Sequence, residues 1–338
     1  MPEITVEALR ELTTCSLSGQ GFDRLTAETL ALEFVAAEIS GIKTHGVGKL
    51  ISMNLGDLTA TPTIEVRGAV IVANGNGISG FVLLRQLAQQ VGDLAAEFGI
   101  AAAFVRNFSR FSSLYPYPEI LAERGLVGVL MNEAGPASVT PFGSLDPVTG
   151  ANPICFSFPS NSGPRTIDLG TSQLVWGTIR QSALEEIPLP HGAFLDVAGN
   201  EPETYDDVNA VRAFGGAKGF AINLAIEILA GALVGGMMGN EVQSEFDAGA
   251  LLMAFDPGIL GLEKFKTGVD HLIQDVRAAR PIDDKVSVHV PGDRPHGEAA
   301  LAPAVGGMVT IPQKTLDLLE RMASGENMAE LAANPLFN

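Results

Sequence analysis

The spacing of apolar residues predicts the first elements of the chain before any motif is considered. Residues 3–19 and 24–40 each carry apolar side chains at helical intervals, with Leu25, Leu30 and Phe34 in the second run. GAVIVANGNG then has the pattern of a strand that ends in a turn, and FVLLRQLAQQVGDLAAEF has that of a helix. The next predicted strand is GIAAAFVRN. Strands and helices therefore alternate, which indicates an α/β protein.

The segment from Gly219 to Gly239 is apolar over nearly the length that crosses a bilayer. It contains Asn223, Glu227 and several glycines, and it lacks flanking aromatic residues. A buried helix is therefore a better prediction than a transmembrane span.

Composition and charge narrow the class of protein. The chain has 338 residues, 46% of them hydrophobic, which is enough for a large core divided between two lobes. Its formal net charge of -18 disfavours nucleic acid and membrane surfaces as partners. The N-terminus lacks the pattern of a signal peptide, and Cys15 and Cys155 suit a reducing compartment, so we expect a cytoplasmic protein. The five histidines are scattered, and no metal site is predicted.

GNGISG, at residues 75–80, matches the G-x-G-x-x-G fingerprint between a predicted strand and a predicted helix. The signal is weak because the chain contains 38 glycines. A unit that binds NAD also needs an acidic residue after the next strand, where this chain has Arg106 and Asn107. Either the unit binds NADP, with Arg106 as a candidate partner of the 2′-phosphate, or the glycines form a turn before a packing helix.

GIKTHGVGKL, from Gly41 to Leu50, places three polar side chains among glycines. A helix that begins near residue 47 would put Lys49 one turn after His45, so that Thr44, His45 and Lys49 could line one pocket. The alternative is a histidine at a helix end that bonds a backbone carbonyl.

Polar side chains also lie among glycines in two later segments, IDLGTSQLVWG and FGGAKGF. Asp168 and Ser172 lie in a glycine-containing turn after a short strand pattern, and Lys218 lies between glycines at the start of the apolar segment. These positions let the backbone approach a ligand closely. The alternative is a turn followed by a buried helix with a solvated Lys218.

The chain resembles the type-2 malate/L-lactate dehydrogenase family, which also contains sulfolactate, ureidoglycolate and diketogulonate dehydrogenases and the piperideine/pyrroline-2-carboxylate reductases. Seven segments match family motifs in the family's order. They are THGVGKL at 44–50, VRNFSRFSS at 105–113, GANPICFSFP at 150–159, IDLGTSQLVWG at 167–177, LPHGAFLDVAGNEPET at 189–204, GGAKGFAINLAIEILAGALVG at 215–235 and HVPGDR at 289–294.

This resemblance implies an α/β (α+β) fold distinct from the Rossmann fold, with a mostly antiparallel cofactor-binding sheet and helices. It implies an NAD(P)-binding domain over residues 71–264 and a helical substrate lobe formed by residues 1–70 and 265–338. It also implies a homodimer with the active site in the cleft between the lobes. The GNGISG fingerprint is then a coincidence.

The resemblance further implies hydride transfer between NAD or NADP and the alpha carbon of a small 2-oxo, 2-hydroxy or cyclic 2-imino acid. His45 matches the family's proton donor and acceptor, Asp196 an aspartate that can orient it, and Thr44 the family's serine. For the anionic substrate, Lys49 takes the place of the family's arginine, and a lysine lacks the bidentate fork of an arginine. Asn152 matches a further substrate-binding position.

The cofactor-binding positions carried over by resemblance come from three segments. They are Asp168, Ser172, Lys218 and Gly219, and more weakly Gly292 and Asp293.

One position departs from the family in a way that affects the chemistry. Arg110 stands where the family has a second pocket histidine, and an arginine cannot act as a neutral base near pH 7. If His45 carries the proton, Arg110 adds a second substrate-binding cation, which favours a dicarboxylate or phosphorylated substrate. Three interpretations follow: a reductase with altered substrate choice, a relative with a different reaction, or a subunit without catalytic activity.

Overall fold

The computed structural model describes residues 2–51, 53–133, 135–185, 187–244, 246–247, 249–283, 287–293 and 306–326. Its helices are α1 (Val6–Gly19), α2 (Arg24–Ile39), α3 (Val47–Ile51), α4 (Gly80–Phe98), α5 (Pro116–Glu123), α6 (Gly177–Glu185), α7 (Ala217–Glu227), α8 (Leu262–Ala278) and α9 (Gln313–Ala323). Its strands are β1 (Glu3–Thr5), β2 (Thr63–Arg67), β3 (Val70–Asn74), β4 (Ile100–Arg106), β5 (Val127–Glu133), β6 (Val139–Thr140), β7 (Ile154–Phe158), β8 (Arg165–Leu169), β9 (Phe194–Leu195), β10 (Ala210–Arg212), β11 (Gly249–Phe255) and β12 (Met308–Thr310).

The main sheet has seven strands in the order β2-β3-β4-β11-β5-β7-β8. β3 and β4 run parallel, and the other neighbouring pairs of this sheet are antiparallel. The late strand β11 lies between β4 and β5, and its alternating backbone bonds join the two halves of the sheet. The α/β class predicted from the alternating elements is confirmed.

The two ends of the described chain meet. β1 pairs antiparallel with β12, and α1 packs against α2 and α9. Ser16 Oγ of α1 donates a hydrogen bond to Leu319 O of α9 over 2.7 Å. The predicted division into lobes stays a prediction, and its boundary at residue 70 falls inside the β2–β3 hairpin. Residues 284–286, 294–305 and 327–338 of the predicted C-terminal part lie outside the description.

Side-chain caps define the first two helices. Thr5 Oγ1 accepts the N–H of Ala8, so α1 starts at Val6, and the preceding residues form β1. Asp23 caps α2 in the same way by accepting the N–H of Thr26. Leu30 and Phe34 are buried as expected, whereas Leu25 is 74% exposed because the first turn of α2 lies at the surface.

The GNGISG segment joins β3 to α4 and packs against the loop that follows β4. The N–H of Gly80, at the start of α4, donates to Ser109 Oγ over 3.1 Å. A side chain at Gly80 would place its Cβ 2.2 Å from Ser109 O, so a close approach of two backbones requires the glycine. Arg106 donates to Val234 O over 3.2 Å. These contacts favour the interpretation of a glycine turn before a packing helix.

The apolar segment after Gly216 forms α7, continues as a π-helical turn over Ile228–Ala232, and packs one face on β5 and β11. Its other face is open. Ile222, Leu224, Ile228 and Leu233 are each 44–50% exposed, so the buried-helix prediction holds for one face only. Within the described ranges, we find no helix with the length and apolarity that crossing a membrane requires.

Candidate functional site

His45 ends a short 3-10 turn, Lys43–His45, immediately before α3. Its Nδ1 lies 3.0 Å from Thr44 Oγ1, so the hydroxyl of Thr44 fixes the orientation of the ring. Burial, and to a smaller extent the positive charge of Lys49, lower the pKa of His45 to about 4. The predicted grouping of Thr44, His45 and Lys49 is thus present as one cluster, with a neutral imidazole at pH 7.

Glu38 of α2 holds in place the loop between His45 and α3. Its Oε2 accepts the N–H of Val47, the first residue of α3, over 3.1 Å. A Cβ at Gly46 would lie 2.0 Å from the same oxygen, so only glycine leaves room for the carboxylate. Glu38 therefore fixes the backbone that links His45 to Lys49.

The first turn of α6 lies along the same loop. Gly177 faces Thr44, and a Cβ there would lie 3.5 Å from Thr44 Cβ. One turn later, Arg180 Nη2 donates to Gly48 O over 3.3 Å. No sequence motif points to Arg180, although it is the only Lys or Arg between Arg165 and Arg212.

Arg110 follows β4 and packs its guanidinium against Gly135, where any side chain would collide with it. Its charge acts on Glu133, a fully buried carboxyl at the end of β5. Burial and the nearby Glu227 raise the pKa of Glu133 to about 8. Among the described residues, Glu133 Oε2 has no hydrogen-bond partner. Glu133 was not predicted, since only the fold brings it near Arg110.

Asn152 lies in a fully buried polar network with two residues of α7. Its Nδ2 donates to Glu227 Oε2 over 2.6 Å and to Asn223 O over 3.2 Å. Glu227 Oε1 accepts the N–H of Gly239. These bonds attach α7 to the sheet, and a substrate-binding role for Asn152 stays a prediction.

Ser172 lies beside a cavity of about 630 Å³ near the start of α7. Its buried Oγ lacks a hydrogen-bond partner among the described residues, and its backbone pairs with Ala213, which lines the cavity. Arg212 and the glycines Gly215 and Gly216 line the same cavity, and the exposed Lys218 follows in the first turn of α7. An open helix N-terminus with nearby cations suits an anionic ligand.

Gly219 is buried in that turn, and a Cβ there would lie 1.6 Å from Phe214 O. Glycine is therefore required for the tight approach of α7 to the preceding turn. The structure brings Ser172, Lys218 and Gly219 into one region.

Asp168 lies at a different place, on β8, and Gly292 and Asp293 pack against that strand. Asp168 Oδ2 accepts the N–H groups of Leu114 and Tyr115 at the start of α5. Gly292, with φ +86°, packs on Thr166, two residues before Asp168. The carboxylate of Asp293 lies 3.7 Å from Arg165 and also bonds Arg277. Their predicted cofactor roles stay predictions.

Asp196 caps its own turn. Its Oδ1 accepts the N–H groups of Ala198 and Asn200, which lower the pKa of its carboxyl. The recorded partner of His45 Nδ1 is Thr44, so the orientation of His45 by Asp196 stays a prediction.

A neutral imidazole beside a cation suits an α/β enzyme that moves a proton on a small anion. The chain belongs to the malate/L-lactate dehydrogenase family, whose sequence model matches residues 4–320. It is 28% identical over 307 residues to the malate/(S)-sulfolactate dehydrogenase of Methanothermus fervidus, covering 86% of this chain and 89% of that one. It is 27% identical over 337 residues to the (2R)-3-sulfolactate dehydrogenase (NADP(+)) of Chromohalobacter salexigens, covering 95% and 98%.

A solved structure extends this similarity to the three-dimensional fold. The delta1-piperideine-2-carboxylate reductase of Pseudomonas syringae pvar. tomato superposes with a TM-score of 0.80 at 26% identity, over 95% of this chain and 100% of that chain. The family predicted from the seven segments is therefore confirmed. Its class, an NAD(P)-dependent dehydrogenase or reductase that uses NAD or NADP, is confirmed with it.

Proposed function

We propose that this enzyme transfers a hydride to or from the alpha carbon of a small 2-oxo or 2-hydroxy acid or a cyclic 2-imino acid, with His45 as proton donor and acceptor. The cluster of Thr44, His45 and Lys49 carries this proposal, because it joins a group that can exchange a proton to a cation that attracts an acid. The names of the relatives, which act on sulfolactate, malate and piperideine-2-carboxylate, support the substrate class.

The residues near α7 fit a dinucleotide. Ser172 offers a buried hydroxyl without a partner among the described residues, and Lys218 and Gly219 lie at a helix start next to a cavity of suitable size. Asp168, Gly292 and Asp293 are proposed to contact the same cofactor from β8. The nicotinamide ring, when bound, supplies or accepts the hydride.

Lys49 and His45 have separate roles, substrate binding and proton exchange. Lys49 attracts the carboxylate of the substrate, and Arg110 and Asn152 are proposed to contact the substrate as well. The anionic substrate then offsets the charge of Lys49, which raises the pKa of His45 from its low value and favours the imidazolium that donates to the developing alkoxide or amine. In the oxidative direction the neutral ring accepts that proton. Thr44 holds the ring at Nδ1, and Asp196 is proposed to stabilise the imidazolium.

We also infer that the finer fold follows the family. The largely antiparallel order of the main sheet supports a cofactor domain that is distinct from the Rossmann fold. The pairing of β1 with β12 supports a lobe built from both chain ends.

A homodimer is the third part of the proposal. The open apolar side chains Ile222, Leu224, Ile228 and Leu233 lie along α7 and the π-helical turn that continues it. Such a face on an otherwise acidic protein suits a second copy of the chain, since two like apolar faces can bury each other.

Arg110 supports one alternative, a family member with altered or lost activity. The charged guanidinium beside Gly135 occupies the sequence position of the family's second histidine and cannot exchange a proton near neutral pH. Absence of turnover with 2-oxo and cyclic imino acids would favour this alternative.

Titration with NADH and with NADPH tests the proposal without a choice of substrate. Trp176, the single tryptophan, lies next to Gly177 and reports binding by fluorescence transfer. We expect tight binding of at least one cofactor and turnover of a 2-oxo or imino acid. His45→Ala is expected to bind the cofactor as the wild type does and to lose nearly all turnover, by a factor of about 10² to 10⁴. Full activity of that variant would exclude His45 as the proton donor.

A further inference from the structure

Arg180 is a half-buried cation whose surroundings do not compensate its charge. Burial lowers the pKa of its guanidinium, and among the described residues no carboxylate opposes that effect. Its hydrogen bond within the described ranges goes to a neutral acceptor, Gly48 O, at 3.3 Å. A guanidinium has five N–H donors, so this single bond leaves most of its capacity for another acceptor. Partial burial of a charge with little compensation is typical of a site that an ion of opposite sign completes.

Arg180 lies beside the loop that carries His45. Gly177 and Arg180 lie one turn apart on α6, and they contact Thr44 and the backbone just before Lys49. Lys49 also acts electrostatically on His45. Two cations from different elements therefore meet at this loop: the charge of Lys49 from α3 reaches the imidazole, and Arg180 from α6 bonds the backbone at Gly48.

We propose that Arg180 binds the substrate carboxylate together with Lys49 and determines the preference of the pocket for acids over neutral compounds. The planar guanidinium supplies the two parallel N–H groups that match a carboxylate, which the ammonium of Lys49 cannot supply alone. This inference rests on the proposed function for the identity of the pocket, and it assigns a substrate-binding residue outside the segment that carries His45.

If Arg180 binds the carboxylate, its loss should affect an acid more than the corresponding ester. Pyruvate carries the carboxylate that Arg180 would bind, whereas methyl pyruvate has the same reactive carbonyl without the charge. Loss of the guanidinium should therefore weaken the pocket for pyruvate and leave methyl pyruvate nearly unchanged. A purely structural role, in which Arg180 holds α6 against Gly48, would affect both compounds equally.

The experiment compares the wild type with Arg180→Gln, Arg180→Lys and the double variant Lys49→Arg/Arg180→Gln. Arg67→Gln is the matched control, since Arg67 is an exposed arginine paired with Glu65 on the β2 hairpin. Steady-state rates with NADH or NADPH are measured for pyruvate and methyl pyruvate. Binding of two unreactive acids, oxamate and pyrrole-2-carboxylate, is measured separately through Trp176 fluorescence, and thermal unfolding verifies that each variant is folded.

We expect Arg180→Gln to raise the KM for pyruvate and the Kd of the bound acids by about 10- to 100-fold, with a smaller change in kcat. Arg180→Lys should recover part of this loss. The double variant should recover more, because the Lys49→Arg change restores a guanidinium to the site. Arg67→Gln should match the wild type.

Three results would overturn the role of Arg180. These are unchanged acid binding in Arg180→Gln, an equal loss for pyruvate and methyl pyruvate, or failure of the wild type to bind either unreactive acid. If the wild type binds these acids through Arg180 but reduces no 2-oxo or imino acid, the anion site stands and the proposed hydride transfer fails.

Discussion

The charge of Lys49 adds to burial in lowering the pKa of His45. We predict that Lys49→Met raises the pKa of His45, because the variant removes one of the two causes that lower it and leaves burial in place. In the pH profile of kcat/KM, the inflection of the free enzyme near pH 4 should move upward. In the oxidative direction the rate rises with pH through this inflection, and in the reductive direction it falls.

Lys43→Met is the control for that measurement. Lys43 is an exposed lysine two residues before His45, and its charge is not among the causes of the lowered pKa. Its inflection should coincide with that of the wild type. An unchanged inflection in Lys49→Met would mean that burial alone determines the pKa of His45.

Glu133 makes the free energy of unfolding depend on pH. Its pKa is about 8 in the folded protein and near 4.5 when unfolded, so between these values the folded state binds more protons. Stability from this group is therefore present below pH 4.5 and is lost as the pH rises towards 8, by up to about 1.4 kcal/mol per pH unit.

We predict that Glu133→Gln removes this contribution. The difference in urea unfolding free energy between variant and wild type should change in favour of the variant from pH 5 to pH 8 and become constant above it. The comparison cancels the opposite contribution of His45, which the two proteins share. Parallel stability curves would contradict the raised pKa of Glu133.

Local spacing explains which site residues sequence analysis could identify. Thr44, His45 and Lys49 lie within six positions, so a short helical turn suffices to bring them together. The candidate roles of Arg180 and Glu133 depend on contacts with distant segments, which periodicity does not reveal. A lone arginine in an otherwise acidic stretch was the one available signal for Arg180.

Among the elements, α3 depends on a helix that precedes it in the chain. We predict that Glu38→Ala destabilises the protein by about 1–3 kcal/mol, because the buried N–H of Val47 loses its charged acceptor. The same variant should lower kcat/KM, since His45 and Lys49 lose their fixed relation. Urea unfolding and steady-state kinetics measure the two effects.

Glu28→Ala on the same helix is the matched control. Glu28 forms a half-exposed ion pair with Arg24, and its loss should change the unfolding free energy by less than about 0.5 kcal/mol. Equal effects of the two alanines would show that Glu38 does not anchor the loop.

Helices were easier to predict than the order of the strands. The 3.6-residue repeat indicated α1, α2 and α4. The start of α1 was wrong, because Thr5 caps the helix after β1, whereas the start of α2 at residue 24 is confirmed. The glycine fingerprint was ambiguous, since the same glycines serve the packing of Gly80 on Ser109. The placement of β11 between β4 and β5 depends on pairing across more than a hundred residues and could not be read from the pattern.

At the scale of the whole molecule, the open face of α7 is the proposed contact between two copies of the chain. We predict that the wild type has twice the mass of one chain in sedimentation equilibrium. Leu224→Lys/Ile228→Lys should shift it to the monomer, because two charges would be buried in the contact. Leu260→Lys, at an exposed leucine outside α7, should leave the mass unchanged. A monomeric wild type would exclude this face as a dimer contact.

The central position of β11 has a consequence for synthesis of the chain. Until residues 249–255 leave the ribosome, β4 and β5 have no partner between them, and each presents an unpaired edge. A nascent chain that has already completed its GNGISG turn and its His45 loop is therefore still open through the middle of its sheet. Closure requires the capture of a late strand over a long loop, which is entropically slow. The main sheet can consequently close only after β11 has been synthesised, and fragments that end before it are candidates for chaperone capture.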